Sequence, residues 1–129
     1  IRHEDVNVRL CGVASAEELC DALRCSTLYC HTSYIENSPN SIAEAQILGL
    51  PVVATNVGGT SSMVEHGETG FLFPATDPYI AAYHIMRLAS DKDLNVRMGE
   101  TAKVIAMARH DKQKIVSSLL ETYKSIMDK

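Results

Sequence analysis

The chain has 129 residues, 46% of them hydrophobic and 22% charged, with a formal net charge of −4. That length suits one compact domain with a real core, so residues 1–129 are read as a single domain. The acidic balance argues against nucleic acid as a partner, no run approaches the roughly 18 apolar residues of a membrane span, and IRHEDVNVRL holds no signal-like apolar stretch.

NVRLCG, Asn7 to Gly12, reads as a strand ending at a glycine. Ser15 and Glu18 form an S-x-x-E capping box that opens a helix running to about Cys25. STLYCH, Ser26 to His31, is a short buried strand of β-formers. After the polar loop TSYIENSPN, Ser38-Pro39 reads as an N-cap with proline at the first helical position. The helix covers about Asn40 to Leu48 and stops at Gly49. PVVATN, Pro51 to Asn56, is a continuous apolar strand of the kind buried on both faces of a parallel sheet. Gly58-Gly59 precede a helical stretch near Ser61 to Glu65, and Phe71 to Phe73 make another short strand.

From there the chain turns helical. Asp77-Pro78 is a second cap-plus-proline start, with Ile80, His84, Ile85 and Leu88 on one face. A further helix spans about Asp91 to Ala108, and Asp111 caps a last one with an apolar stripe of Val116, Leu119, Leu120, Tyr123 and Met127. The alternation of strand and helix predicts an α/β fold, a Rossmann-like parallel sheet with helices on both faces.

Cys11, Cys20, Cys25 and Cys30 form no CxxC pair and have no histidine at ligand spacing. Reduced, mostly buried thiols are expected rather than a zinc site. His31, at a strand end near the expected ligand cleft, reads either as a ligand contact or, by default, as a satisfied, partly buried histidine; His66 reads as a solvated helix-end histidine, and Tyr34 and Tyr123 as packing residues.

The segment from Tyr34 to Gly59 is the place to look for chemistry. In an open parallel sheet, ligands bind beyond the C-terminal strand ends, where helix starts point unpaired N–H groups outward. The amides of Asn40 and Ser41 suit a phosphate, and Asn37, Ser38, Asn40 and Ser41 offer short polar side chains. Glu44 is the only charge between Glu36 and Glu65, in a helix otherwise made largely of small and aliphatic residues. Such a carboxylate must be solvated or hydrogen-bonded: it reaches solvent, caps a neighbouring loop, or accepts from ligand hydroxyls. Gly58 and Gly59 suit either an ordinary turn or close approach of backbone to a ligand.

Glu36 and Glu44 have seven residues between them, followed by G-x-P-V-V-A-T, a Gly-Gly pair and H-G-E-T-G-F-L. This ordered set resembles the retaining glycosyltransferases of family 4, also called group 1, with the GT-B fold, in their C-terminal donor-binding domain. The resemblance implies that Glu36 contacts the transferred sugar, as the residue closest to catalysis, and that Glu44 contacts the nucleotide ribose. It places the pyrophosphate on the amides near Asn40 and Ser41, the base at Cys11, Gly12 and Val13, and Gly58 and Gly59 at the cleft. It implies a nucleotide diphosphate sugar as donor, no metal or other cofactor, and a glycan or lipid-linked acceptor held by an N-terminal domain. A cytoplasmic location follows, with contact to the inner membrane face left open.

The family often shows E-G-F-G-x-P in this loop, whereas E-N-S-P-N-S stands here, with Pro39 in place of a glycine. The resemblance also starts at the family's third strand. The first two strands, with the Arg and Lys that neutralise the leaving diphosphate, have no counterpart in the sequence. NVRLCG then lacks its usual neighbours, which predicts that it re-pairs with STLYCH, finds another chain or is poorly held; self-association is expected. A non-catalytic binding module, a GT-B-fold nucleotide-sugar epimerase and a purely structural flavodoxin-like domain are the alternative readings.

Overall fold

The computed structural model describes residues 2–3 and 6–127. Strands β1 (Arg2–His3) and β2 (Val6–Asn7) pair antiparallel with each other. The main sheet is parallel, in the order β3 (Tyr29–His31), β4 (Val52–Thr55), β5 (Gly70–Phe73). Five α-helices and one 3-10 helix (Gly58–Ser62) complete the described chain: α1 (Ala16–Arg24), α2 (Asn40–Ile47), α3 (Pro78–Ser90), α4 (Lys92–Arg109) and α5 (Lys112–Met127).

Both faces of the sheet are covered, as the alternation along β4 requires. Val52 and Ala54 join Leu23, Ile42, Ala43 and Ala45 from α1 and α2 in one core. Val53 points the other way, with Phe71, Phe73, Leu88, Leu94 and Met98 from β5, α3 and α4. All four residues of β4 are buried, which explains its unbroken apolar sequence. Helix α4 also packs along α2: a side chain at Gly99 would strike the carbonyl of Gly49, so glycine permits the close crossing.

Local signals place several elements. Ser15 and Glu18 form the reciprocal capping box, and Asp77 accepts from the amides of Tyr79 and Ile80 at the start of α3. Asp91 accepts from the amide of Leu94, and Asp111 from that of Lys114. Gly49, at φ 86°, ends α2 in the left-handed region.

Other expectations need correction. NVRLCG forms no strand of the parallel sheet: Asn7 belongs to the small hairpin, and residues 8–12 are irregular and exposed. A strand needs a neighbour to satisfy its ladder, and β3 is left at the sheet edge. The short helix after β4 is a 3-10 helix that begins at Gly58 itself and ends at Ser62. Tyr34 and Tyr123 are exposed, not packed. So is the whole α5 stripe of Val116, Leu119, Leu120, Tyr123 and Met127. Cys11 and Cys25 are exposed, and Cys20 and Cys30 half-buried, so the free thiols are less buried than composition suggested. His66 is exposed but not merely solvated: its Nδ1 accepts from the amide of Leu72 at 3.0 Å. Its ring also meets Phe71 and buried His84 edge-on.

Candidate functional site

The C-terminal edge of the sheet is built by the loops after β3 and β4, and three contacts hold them together. Thr55 Oγ1 donates to the carbonyl of Ser33 at 2.6 Å, joining the two strand ends. A Cβ at Gly58 would collide with the carbonyl oxygen of Glu36, and one at Gly59 with that of Asn37. The glycine pair therefore permits close approach, but of the Glu36–Asn37 backbone rather than of open cleft. Gly58 also has φ 49°, a conformation that glycine adopts without steric cost.

Glu36 is fixed at both carboxylate oxygens. Oε1 accepts from the amide of Asn37 at 3.1 Å, and Oε2 lies 3.2 Å from Nε2 of His31. The His31 side chain is 10% exposed and that of Glu36 24%, so the pair sits at the boundary between core and solvent. On its other side, His31 Nδ1 is 3.4 Å from the hydroxyl of Tyr29, which donates to Ser41 Oγ at 2.9 Å. Tyr29 and His31 are two apart on one strand, hence on one face. That spacing, with an acidic residue five positions on, is the signal in the sequence for a connection that the motif reading passed over.

Helix α2 begins at Asn40, as expected, but its cap is not Ser38. Pro39 occupies the N-cap position, with φ −73° and ψ 107°, and Asn40 is the first helical residue. Ser38 is not the cap: its hydroxyl contacts the Met63 sulfur at 3.8 Å. No side chain caps this helix, and its first turn carries no acidic residue. The partial positive charge of the helix start is thus unopposed by a side chain, with the amides of Asn40 and Ser41 in the first turn.

Glu44 is exposed and makes no side-chain hydrogen bond among the described residues. It lines a cavity of about 270 Å³ between α1 and α2, with Ala16, Cys20, Leu23, Ile47 and Leu48. Cys11, Gly12 and Val13 line a different groove, on the flank of α1 formed by Glu18, Leu19 and Ala22. The fold therefore gathers Glu36, Asn37, Ser38, Gly58 and Gly59 directly. Tyr29 links Ser41 to that cluster, while Glu44 and the Cys11–Val13 loop line separate hollows on α1. Among the described residues, no group of three or more His, Cys, Asp or Glu could hold a metal ion.

The sequence of residues 3–105 matches the family model described as glycosyl transferases group 1. The chain belongs to this family. It is 37% identical over 103 residues to a D-inositol 3-phosphate glycosyltransferase of Streptomyces avermitilis, covering 80% of this chain and 21% of that protein. It is 26% identical over 127 residues to the N-acetyl-alpha-D-glucosaminyl L-malate synthase of Bacillus anthracis, covering 98% and 33%. Among solved structures, Anabaena Alr3699/HepE in complex with UDP-glucose superposes with a TM-score of 0.76 at 31% identity, covering 84% of this chain and 30% of that one. The family membership and the α/β architecture agree with the resemblance read from the motifs. The chain spans about a third or less of the length of these relatives.

Proposed function

We propose that this chain is the donor-binding domain of a glycosyltransferase that moves a sugar from a nucleotide diphosphate sugar to an acceptor hydroxyl, with retention of configuration. The observation that carries the reading is the pinned carboxylate of Glu36 beside the uncapped start of α2. The helix amides near Asn40 and Ser41 take the diphosphate, where the unopposed helix charge favours an anion. Glu36 accepts from hydroxyls of the transferred sugar, and Asn37 and Ser38 flank it. Support for Glu44 at the ribose is its exposed carboxylate without a side-chain hydrogen bond, at the mouth of a mainly apolar cavity. Support for the base at Cys11–Val13 is the exposed groove that these residues line.

In this reading the donor needs no metal, because oriented amides and basic side chains from elsewhere in the protein meet the developing negative charge. The acceptor, a glycan or a lipid-linked sugar, belongs to an N-terminal domain, so the chain alone is expected to give no turnover. We place the protein in the cytoplasm, at or near the inner membrane face; the four free thiols support a reducing compartment.

The test is a titration of UDP, GDP and ADP, and of their sugars, followed by NMR. One nucleotide series should bind. Glu44→Ala should weaken the nucleotide and its sugar alike, and Glu36→Ala the sugar only. Unchanged binding by Glu44→Ala removes the ribose assignment. In the full-length protein, an epimerised sugar without a new glycosidic linkage refutes transfer.

A further inference from the structure

We propose that His31 is the positioning residue for Glu36, and that it sets how strongly the site favours a sugar nucleotide over the bare nucleotide. This deepens the proposed function and rests on it for the identity of the ligand. The geometry stands by itself.

An ionised carboxylate can only accept hydrogen bonds, so the ring nitrogen facing Glu36 Oε2 at 3.2 Å must carry a proton. Nε2 of His31 is therefore the donor, and Nδ1 turns toward the Tyr29 hydroxyl at 3.4 Å. Tyr29 is itself tied to Ser41 at the start of α2. The Tyr29 proton goes to Ser41, so the phenol packs against Nδ1 without bonding to it, and the bond to Glu36 selects the Nε2–H tautomer.

The consequence falls on Glu36. Its Oε1 is held by the neighbouring amide and its Oε2 by the imidazole, so the carboxylate is restrained in both position and plane. Each oxygen keeps a free lone pair, and the side chain keeps enough exposure to present it. A carboxylate pre-oriented in this way binds a hydroxyl without first giving up rotamer freedom. Packing alone does not account for the residue, because a buried strand end accepts an apolar side chain of similar bulk without the cost of burying a polar ring. A histidine there offsets its burial through the bond from Nε2 to Glu36.

The chain and its His31→Leu and His31→Gln variants provide the test, with UDP and UDP-glucose as probes. Glutamine keeps a donor near the Nε2 position; leucine keeps bulk alone. The affinity ratio of UDP-glucose to UDP should fall about tenfold in His31→Leu, the size of one charge-assisted hydrogen bond. It should largely recover in His31→Gln. An undiminished ratio in His31→Leu, or failure of His31→Gln to improve on it, overturns the positioning role. A second measurement needs no ligand. Nitrogen-detected spectra of the free wild-type imidazole should show Nε2 protonated, with a resonance that shifts in Glu36→Gln and in Tyr29→Phe. A neutral Nδ1–H tautomer refutes the pairing even if the probes bind. If neither probe binds the wild-type chain while the spectra show the pair, the donor-site reading fails for these ligands and the His31–Glu36 geometry stands.

Discussion

Replacing Gly58, Gly59 and Gly12 with alanine in turn separates two costs that glycine avoids. At Gly12, φ is 67° and a Cβ would meet nothing within 4 Å, so only the left-handed backbone resists the change. That cost is about 1–2 kcal/mol, offset by about 0.4–1 kcal/mol because alanine restricts the unfolded chain. The net loss at Gly12 is about 0–1.6 kcal/mol by those two estimates, centred near 0.8. At Gly59 the backbone is ordinary, but a Cβ would strike the carbonyl oxygen of Asn37. Backbone, unlike a flexible side-chain tip, must move as a segment, and overpacking of this kind costs about 1–3 kcal/mol. Gly58 carries both penalties, φ 49° and the Glu36 carbonyl, so its alanine variant should lose about 2–4 kcal/mol. For a chain of this size each kcal/mol lowers the melting temperature by roughly 4 °C. Thermal melts should rank the variants Gly12→Ala, Gly59→Ala, Gly58→Ala in increasing damage. Amide spectra should show the 36–38 loop shifted in the last two only. A Gly59→Ala protein as stable as wild type, with that loop unshifted, refutes the close approach as a constraint.

Arg109 donates to Gln46 Oε1 at 2.6 Å and to the carbonyl of Met63 at 3.1 Å, while the Gln46 amide donates to the same carbonyl at 2.8 Å. Arg109→Ala leaves a fully buried glutamine oxygen unpaired and should cost about 1–3 kcal/mol, read as a lower urea midpoint. His84 is buried without a partner for Nδ1, and burial first, then His66 and Arg87, hold its pKa below the ordinary 6.5. The unfolded chain then binds more protons than the folded one, so this contribution is complete above 6.5 and is lost as pH falls below it and through the lower folded value. Melting temperature should drop between pH 7 and 5, and less so in His84→Leu; equal slopes refute the assignment. The open edge at β3 predicts self-association of the chain, and X-ray scattering that stays monomeric at high concentration refutes it.

Elements whose signal is local were legible in the sequence. Ser15 with Glu18 and Asp77 with Pro78 need only their own first turns, and both helices begin where those residues stand. The unbroken apolar run of β4 gave its burial on two faces. Legibility stopped where a partner lay elsewhere in the chain. NVRLCG has a strand's composition, but sheet membership depends on a neighbour, and composition does not name one. Ser38 has the chemistry of a cap, yet its hydroxyl is drawn to Met63, twenty-five positions away, and Pro39 takes the cap position. The carboxylate of Glu36 was visible as part of a motif. Its imidazole partner left only a spacing, that of Tyr29, His31 and Glu36, which names no bond until β3 turns into the loop. The exposure of the α5 stripe shows the same limit: periodicity reports an apolar face and is silent on what it meets.

The Arg109 contacts bear on where the domain may be cut. The family match ends at residue 105, inside α4, which runs on to Arg109. A protein trimmed to the match would keep Gln46 and lose the guanidinium that answers it, breaking a three-way junction of α2, α4 and the segment leaving the 3-10 helix. Trimming after His110 removes α5 and leaves that junction whole. The structural boundary of the unit therefore lies some four residues beyond the boundary drawn by sequence similarity, and expression of the two truncations side by side would show it as a difference in solubility.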